Sequence, residues 1–230
     1  MRRRLLASDS TARHEPYPWD YRLDYLQTSK THGQYIDTGL KASDAYDGLH
    51  FSGGVLFNGT NFGTGWAPYL FGGYGADAAG LIFSTNERYQ WMLRWGPNAG
   101  NKYTFTGSYA LNKRYLCEAH FSPDISWWNV DGRRLHTAYN CGPFASVMLP
   151  LFCVWNIDAV LLRENWQNMY GPWRFRIGDR LVREFIPCVK DGIVCIYDTV
   201  ERRFHYNLGS GEFSPGNRVD DDWESDSEEE

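Results

Sequence analysis

The chain has 230 residues, a formal net charge of -5, and an aromatic content of 17% with ten tryptophans and fifteen tyrosines. That length suits one large all-β domain, and no run approaches the roughly 18–20 apolar residues that a membrane-spanning helix needs. The six histidines have no H-x-x-x-H or H-E-x-x-H spacing, the five cysteines no C-x-x-C spacing, and no basic patch is interleaved with aromatics, so zinc, a redox motif and nucleic acid are not expected.

Residues 1–22 read as an irregular leader. Its opening MRRRLLA carries basic residues, but the apolar run stops at Ala7, short of the about 7–15 residues of a secretory h-region. The expectation is a protein that stays in the cytoplasm where it is made, or leaves it by assembly into a particle. With no export signal, the five cysteines are expected as buried reduced thiols; a Cys188–Cys195 bridge across a hairpin is the alternative pairing geometry. Pro16-Tyr17-Pro18-Trp19 rigidifies an extended arm, because each proline fixes φ and disfavours helix before it. Such an arm serves as an anchor with Tyr17 and Trp19 as apolar contacts, or as a strap across its own domain.

Residues 25–27 and 34–38 read as the first strand pair, 44–48 as a turn, and 49–57 as a strand closed by Asn58-Gly59, a hairpin signal. Residues 59–80 are glycine-rich, with Trp66, Tyr69, Phe71 and Tyr74 interleaved. Two readings stand: the rings stack on sugars, or they are core and the glycines serve bulges and turns. Residues 81–84 form a strand. In 88–95, Tyr89, Trp91, Leu93 and Trp95 alternate with Gln90, Met92 and Arg94, predicting a half-buried strand whose second face is a polar strip. Trp66, Tyr69, Tyr74, Gln90 and Arg94 are therefore the candidate glycan contacts, rings for stacking and Gln or Arg for hydroxyls.

Residues 103–106 and 114–121 are predicted strands. The second places Tyr115, Cys117, Ala119 and Phe121 on one face and Leu116, Glu118 and His120 on the other. Residues 126–138 form a hairpin about Asp131-Gly132. The run 147–155 is the most apolar and reads as one buried strand, and 165–170 as a short helical turn. From Trp173 onward, apolar runs alternate with turn signals at Gly178-Asp179 and Asp191-Gly192, a meander of short antiparallel strands. About a dozen strands at this spacing predict an all-β, two-sheet antiparallel sandwich. Residues 1–22 form the arm, 23–216 the jelly-roll domain and 217–230 an acidic tail. The last twelve residues hold eight acids and no base, which leaves the rest of the chain at +3. Such a block self-repels. It reads as a solubilising tail or, through Asp220, Asp221 and Asp222, as a docking segment for a basic partner.

Two stretches carry a resemblance. Residues 24–40, DYLQTSKTHGQYIDTGL, resemble the opening "E-Y-L-x-S-x-G-x-Q-Y-I-D-T-G" of concanavalin A-like jelly-roll domains found in phage and prophage structural proteins and some gut bacterial surface proteins. Residues 173–216 resemble the closing signature of that family, through Arg183, Phe185, Ile186, Pro187, Cys188, Asp191, Gly192, Tyr197, Asp198, Phe204, Tyr206, Asn207, Gly209, Gly211 and Phe213. Cys195 departs from it, standing where the family often has glycine. The resemblance implies a concanavalin A-like jelly roll in a virion component: a capsid decoration, a head fibre or a tail-associated protein. Its implied partners are other virion proteins (capsid, portal or tail), further copies of itself, and host surface glycan.

The fold also hosts glycoside hydrolases, which need two carboxylates about 5–9 Å apart, often as E-x-D-x-E on one strand. No such pattern occurs. Glu118 and His120 share a strand face without a third partner and read as a surface pair. There is no G-x-S-x-G, phosphate loop or calcium loop. The expectation is a non-catalytic protein with no metal or cofactor and no membrane segment. A carbohydrate-binding module and, less favoured, an unusual glycosidase are the alternatives.

Overall fold

A computed structural model of the chain describes residues 17–29, 31, 33–59, 68–74, 80–85, 90–96, 103–156, 159–161 and 166–219. The strands, in chain order, are β1 Tyr21–Leu23, β2 Tyr25–Gln27, β3 Leu49–Phe57, β4 Tyr69–Tyr74, β5 Gly80–Thr85, β6 Gln90–Gly96, β7 Tyr103–Ser108, β8 Arg114–Phe121 and β9 Ile125–Val130. They continue as β10 Arg133–Tyr139, β11 Val154–Asn156, β12 Ala159–Leu161, β13 Gln167–Ile177, β14 Arg180–Lys190, β15 Ile193–Asp198, β16 Arg203–His205, β17 Ser214–Pro215 and β18 Arg218–Val219. A single 3-10 turn, Ala42–Asp47, is the only helical element among the described residues. The fold is an all-β, lectin-like jelly-roll sandwich.

The larger sheet runs β10-β9-β8-β3-β13-β14-β1-β18, with β15 and β16 continuing from β14, and β2 and β17 alongside β13. The smaller runs β12-β11-β4-β5-β6-β7. Pairing is antiparallel throughout except between β11 and β4. The strand β14 is shared: residues 180–185 pair with β13, while 185–190 pair with β15 and Cys188 and Val189 also meet β1.

Alternation explains which side faces inward. In β8, Tyr115, Cys117, Ala119 and Phe121 are buried and the residues between them are not. In β9, Ser126, Trp128 and Val130 are buried, while Trp127 and Asn129 are half-buried on the other face. Turns set the register: Asp131 and Gly132, and again Asp191 and Gly192, all take positive φ, the backbone that a two-residue type I′ hairpin requires. Between the sheets lies an aromatic core. Phe51 meets Phe71, Trp173 and Phe175 at ring-centroid distances of 5.0, 5.1 and 5.2 Å. Trp173 donates its ring N–H to Gly54 O at 2.8 Å. A side chain at Gly53 would collide with that ring, so the close approach requires glycine there.

Several expectations are corrected. The helical turn expected at 165–170 does not form where that stretch is described: residues 167–170 open β13, where Gln167 is fully buried and donates to Tyr69 O. The run 147–155 is not one strand. Phe152 takes a φ of 65°, and only the bridges Lys41↔Met148, Ile36↔Leu151 and Phe71↔Leu151 precede β11. Residues 34–38 do not pair with 25–27, since β2 pairs with β13 and β17. Strand β1, Tyr21–Leu23, crosses residue 22, and β18, Arg218–Val219, lies within residues 217–230.

The described part of the arm is a strap. Asp20 N–H donates to Val189 O at 2.8 Å, and its carboxylate accepts Gly192 N–H at 3.2 Å. Trp19 packs edge-on against Tyr197 at 5.3 Å and stacks with Tyr17 at 5.0 Å. Ile186, Cys188 and Cys195 share Tyr197's outer sheet face by register, yet all three are buried.

Candidate functional site

Of the expected glycan contacts, Trp66 lies outside the described residues. Tyr74 ends β4 opposite Asn156, and Arg94 sits in β6 between Ile82 and Tyr103. Gln90 is half-buried at the start of β6. Tyr69 is corrected. It is buried against Val154, so its ring offers no stacking surface. Met92, expected on the open polar strip, is buried too. Of the expected docking residues, Tyr17 is exposed, but Trp19 packs on the chain's own Tyr197 and is an internal anchor. Asp220, Asp221 and Asp222 lie outside the described residues.

The residues that converge lie instead on the outer face of the larger sheet. Register brings them into two cross-strand rows. One row runs Glu184, Arg174, Ser52, Glu118, Asn129 and Arg134 across β14, β13, β3, β8, β9 and β10. The next runs Arg176, His50, His120, Trp127 and Thr137 across β13, β3, β8, β9 and β10. Directly opposed side chains on one sheet face stand about 4.5–5.5 Å apart at Cβ, so each row is a continuous strip. The indole of Trp127 is its hub. His120 stacks beside it at 5.7 Å, His50 meets it edge-on at 5.8 Å, and the Arg134 guanidinium lies over it at 4.0 Å.

Hydrogen bonds orient the strip. Asn129 donates to Glu118 at 2.9 Å and accepts from Arg134 Nε at 2.6 Å, while Arg134 also donates to Thr137 at 3.3 Å. Arg174 pairs with Glu184 at 2.7 Å. Arg176 donates to the Asp179 carbonyl at 2.9 Å. Among the described residues, neither Arg134 nor Arg176 is paired with a carboxylate. Burial holds the His50 pKa below its ordinary value, with Glu118 opposing and Arg176 assisting. His120 is lowered by burial, then by His50 and Arg134. Both imidazoles are therefore neutral at pH 7, able to donate from one nitrogen and accept at the other. A half-buried ring surrounded by fixed donors and acceptors is the chemistry that recognises polyhydroxylated rings.

A second cluster joins the two signature stretches. Asp198, Glu201 and His205 bring ligand atoms within 4.8 Å of one another, but two guanidinium groups already occupy the site. Arg183 lies 2.6 Å from Glu201 and 3.6 Å from the buried Asp198 carboxylate, and Arg203 lies 2.6 Å from Glu201. His205 Nε2 accepts from Arg203 Nε at 3.2 Å, which makes Nδ1 the protonated nitrogen facing Asp37 O at 3.0 Å. Burial and then Arg203 lower the His205 pKa. The cluster therefore has its own cations and does not suit a metal. Around it, Arg183 donates to Thr38 O, and Asn207 accepts Tyr35 N–H while donating to Gly211 O. The signature residues are thus a clasp between the first and last parts of the chain. Beside the clasp, Asp37, Arg203, Phe204, His205, Tyr206 and Leu208 line an open depression of about 240 Å³.

The outer-face strip was missed from sequence as a site, although its parts were visible: the alternation of 114–121 already put Glu118 and His120 outward. No local pattern reports which strands become neighbours, and β3 and β13 supply four of the eleven residues in the two rows from far along the chain.

No protein-family model matches the chain, and no curated protein matches it in sequence. Among solved structures, it is similar to a heptameric SAP-like pentraxin from Limulus polyphemus, with 13% identity over 68% of this chain and 76% of that one, at a TM-score of 0.49. It is similar to the CBM40 of a Ruminococcus gnavus IT-sialidase, with 7% identity over 66% of this chain and 89% of that one, at 0.48. It is similar also to Trypanosoma rangeli sialidase in complex with sialic acid, with 16% identity, 64% of this chain and a TM-score of 0.48, but it spans only 24% of that protein.

Proposed function

We propose that this chain is a non-catalytic structural protein of a phage particle, a capsid decoration, head-fibre or tail-associated component, whose outer large-sheet face attaches to glycan on the host surface. The observation that carries the attachment is the strip centred on Trp127, where a half-buried indole and two neutral imidazoles are framed by Ser52, Glu118, Asn129 and Arg134. A sugar ring that displaces the Arg134 guanidinium finds the Trp127 face beneath it, and the framing groups meet its hydroxyls. The particle role is supported by the resemblance of residues 24–40 and 173–216. Absence of catalysis is supported by the acids that do converge, Asp198 and Glu201, being held by arginines rather than flanking an open cleft.

The test is a glycan array and host-cell binding with the wild-type chain and Trp127→Ala, alongside mass spectrometry of purified particles. Trp127→Ala is expected to weaken binding about tenfold or more, with the protein still folded. Wild-type-level binding by the variant overturns the attachment face. Absence of the chain from particles overturns the structural role.

A further inference from the structure

We infer that the ligand of the outer-face strip is an anionic polysaccharide, lying across the strands with its acid groups held by Arg134 at one end and Arg176 at the other. This rests on the glycan-attachment reading above and narrows it to a substrate class.

The argument begins with charge. Arg174 is neutralised by Glu184 at 2.7 Å, whereas Glu118, among the described residues, accepts only the neutral Asn129 amide and keeps its charge in the row beside His50 and His120, so acid groups of a ligand are favoured at the ends of the strip. Among the described residues, Arg134 and Arg176 have only neutral partners: Asn129, Thr137 and the Trp127 ring for one, and a carbonyl for the other. Both are exposed. Two guanidinium groups without carboxylates therefore flank the strip, each a planar fork suited to two-point binding of a carboxylate or sulfate.

Geometry sets the size of the ligand. Arg176 is on β13 and Arg134 on β10, with β3, β8 and β9 as the path between them. At roughly 4.8 Å per strand, four steps put their strands about 19 Å apart. A single sugar cannot reach both, whereas an extended chain of several sugars can. Between them it would cross His50, His120 and Trp127, neutral groups matched to hydroxyls and ring faces. Anions at the ends and neutral contacts in the middle describe a polymer whose acid groups recur along its length.

The probe is polygalacturonate, compared with the same polymer after carboxyl reduction, using the full chain in a surface-binding assay. Polygalacturonate is expected to bind, to weaken about tenfold with Arg134→Gln or with Arg176→Gln, more with both, and to weaken as salt rises. The carboxyl-reduced polymer is expected to bind no better than the double variant does to the acid form. Arg202→Gln, an exposed arginine in the turn before β16, serves as the control and is expected to bind as wild type. Equal binding of both polymers, insensitive to the two arginines yet lost in Trp127→Ala, overturns the anionic assignment and leaves glycan attachment intact. An equal loss in Arg202→Gln overturns it as well, since net charge alone would then explain binding. No binding to either polymer or to any arrayed glycan overturns both.

Discussion

Asp198 is fully buried and sits beside a guanidinium that is itself mostly buried. Its Oδ1 accepts the backbone N–H of Glu184 and of Val200, and Arg183 supplies the countercharge. Removing one partner of a buried pair strands the other charge in low dielectric, at a cost of about 3–5 kcal/mol. Arg183→Ala is expected to lose that much in urea unfolding, and Arg183→Lys to recover only part, because an ammonium cannot span Thr38 O, Asp198 and Glu201 together. Titration makes a second forecast. His50, His120 and His205 all have folded-state pKa values below the ordinary 6.5. The unfolded chain therefore binds protons first as pH falls, and stability drops as pH is lowered through and below about 6.5. The melting temperature is expected to decline from pH 7.5 to 5.5, with a shallower slope in His205→Gln. A flat profile would show that these imidazoles are not preferentially neutral in the fold. At this scale the sequence was only partly readable. Arg183, Asp198 and Asn207 were visible as signature positions, but Thr38 O and Tyr35 N–H, which Arg183 and Asn207 bond, come from the far end of the chain.

Among the elements, hairpins were the most legible because their chemistry is local: Asp131-Gly132 and Asp191-Gly192 specify a backbone with positive φ at both positions, whatever the tertiary context. Strand β13 was misread for the opposite reason. Asn165, Gln167 and Asn168 look like polar residues of a helical turn, yet Gln167 is buried by pairing that involves Thr28, some 139 residues away. The buried run 147–155 likewise conceals its break at Phe152, since apolar content says nothing about φ. Two glycine substitutions separate local from tertiary requirements. At Gly192 nothing stands within 4 Å of an added methyl and φ is 76°, so Gly192→Ala is expected to cost about 1–2 kcal/mol from backbone alone. At Gly53 the methyl would enter the Trp173 ring, so Gly53→Ala is expected to cost more than Gly192→Ala and to alter the near-UV dichroism of the tryptophans. Equal, small losses would mean that the ring moves freely.

For the molecule as a whole, the strap divides the outer face of the larger sheet. One end carries residues 17–20, with Trp19 against Tyr197 on the face that Ile186, Cys188 and Cys195 share, and the other, from β13 to β10, bears half-buried and exposed side chains. The five cysteines are all buried. The hydrogen bond to Cys195 and burial push the Cys188 thiol well up, with Asp20 contributing. Native protein is expected to show no fast reaction with a thiol reagent, and a chain lacking residues 1–20 to react at Cys188 and Cys195 before it unfolds. Equal protection in the truncated chain would show that the strap is not the cover. The sandwich class was legible from turn spacing, but this division was not, because the Pro-aromatic arm fits an intermolecular anchor and an internal strap equally well until Trp19 is seen against Tyr197.

The pairing of β1 with β18 has a topological consequence. Arg22 lies opposite Val219 and Leu23 opposite Arg218, antiparallel, so the strand that begins the domain and the strand that ends it meet at a single corner. The two ends of the described sheet therefore lie side by side, and the chain just before Tyr21 turns onto the outer face, where Trp19 meets Tyr197. The domain is in this sense a closed loop of chain with a movable cut. A circular permutant joining 219 to 21 through a short flexible linker, and opened instead at Asp131-Gly132, is expected to fold with the same strand order, since that turn has both residues exposed and no side chain to lose beneath Gly132.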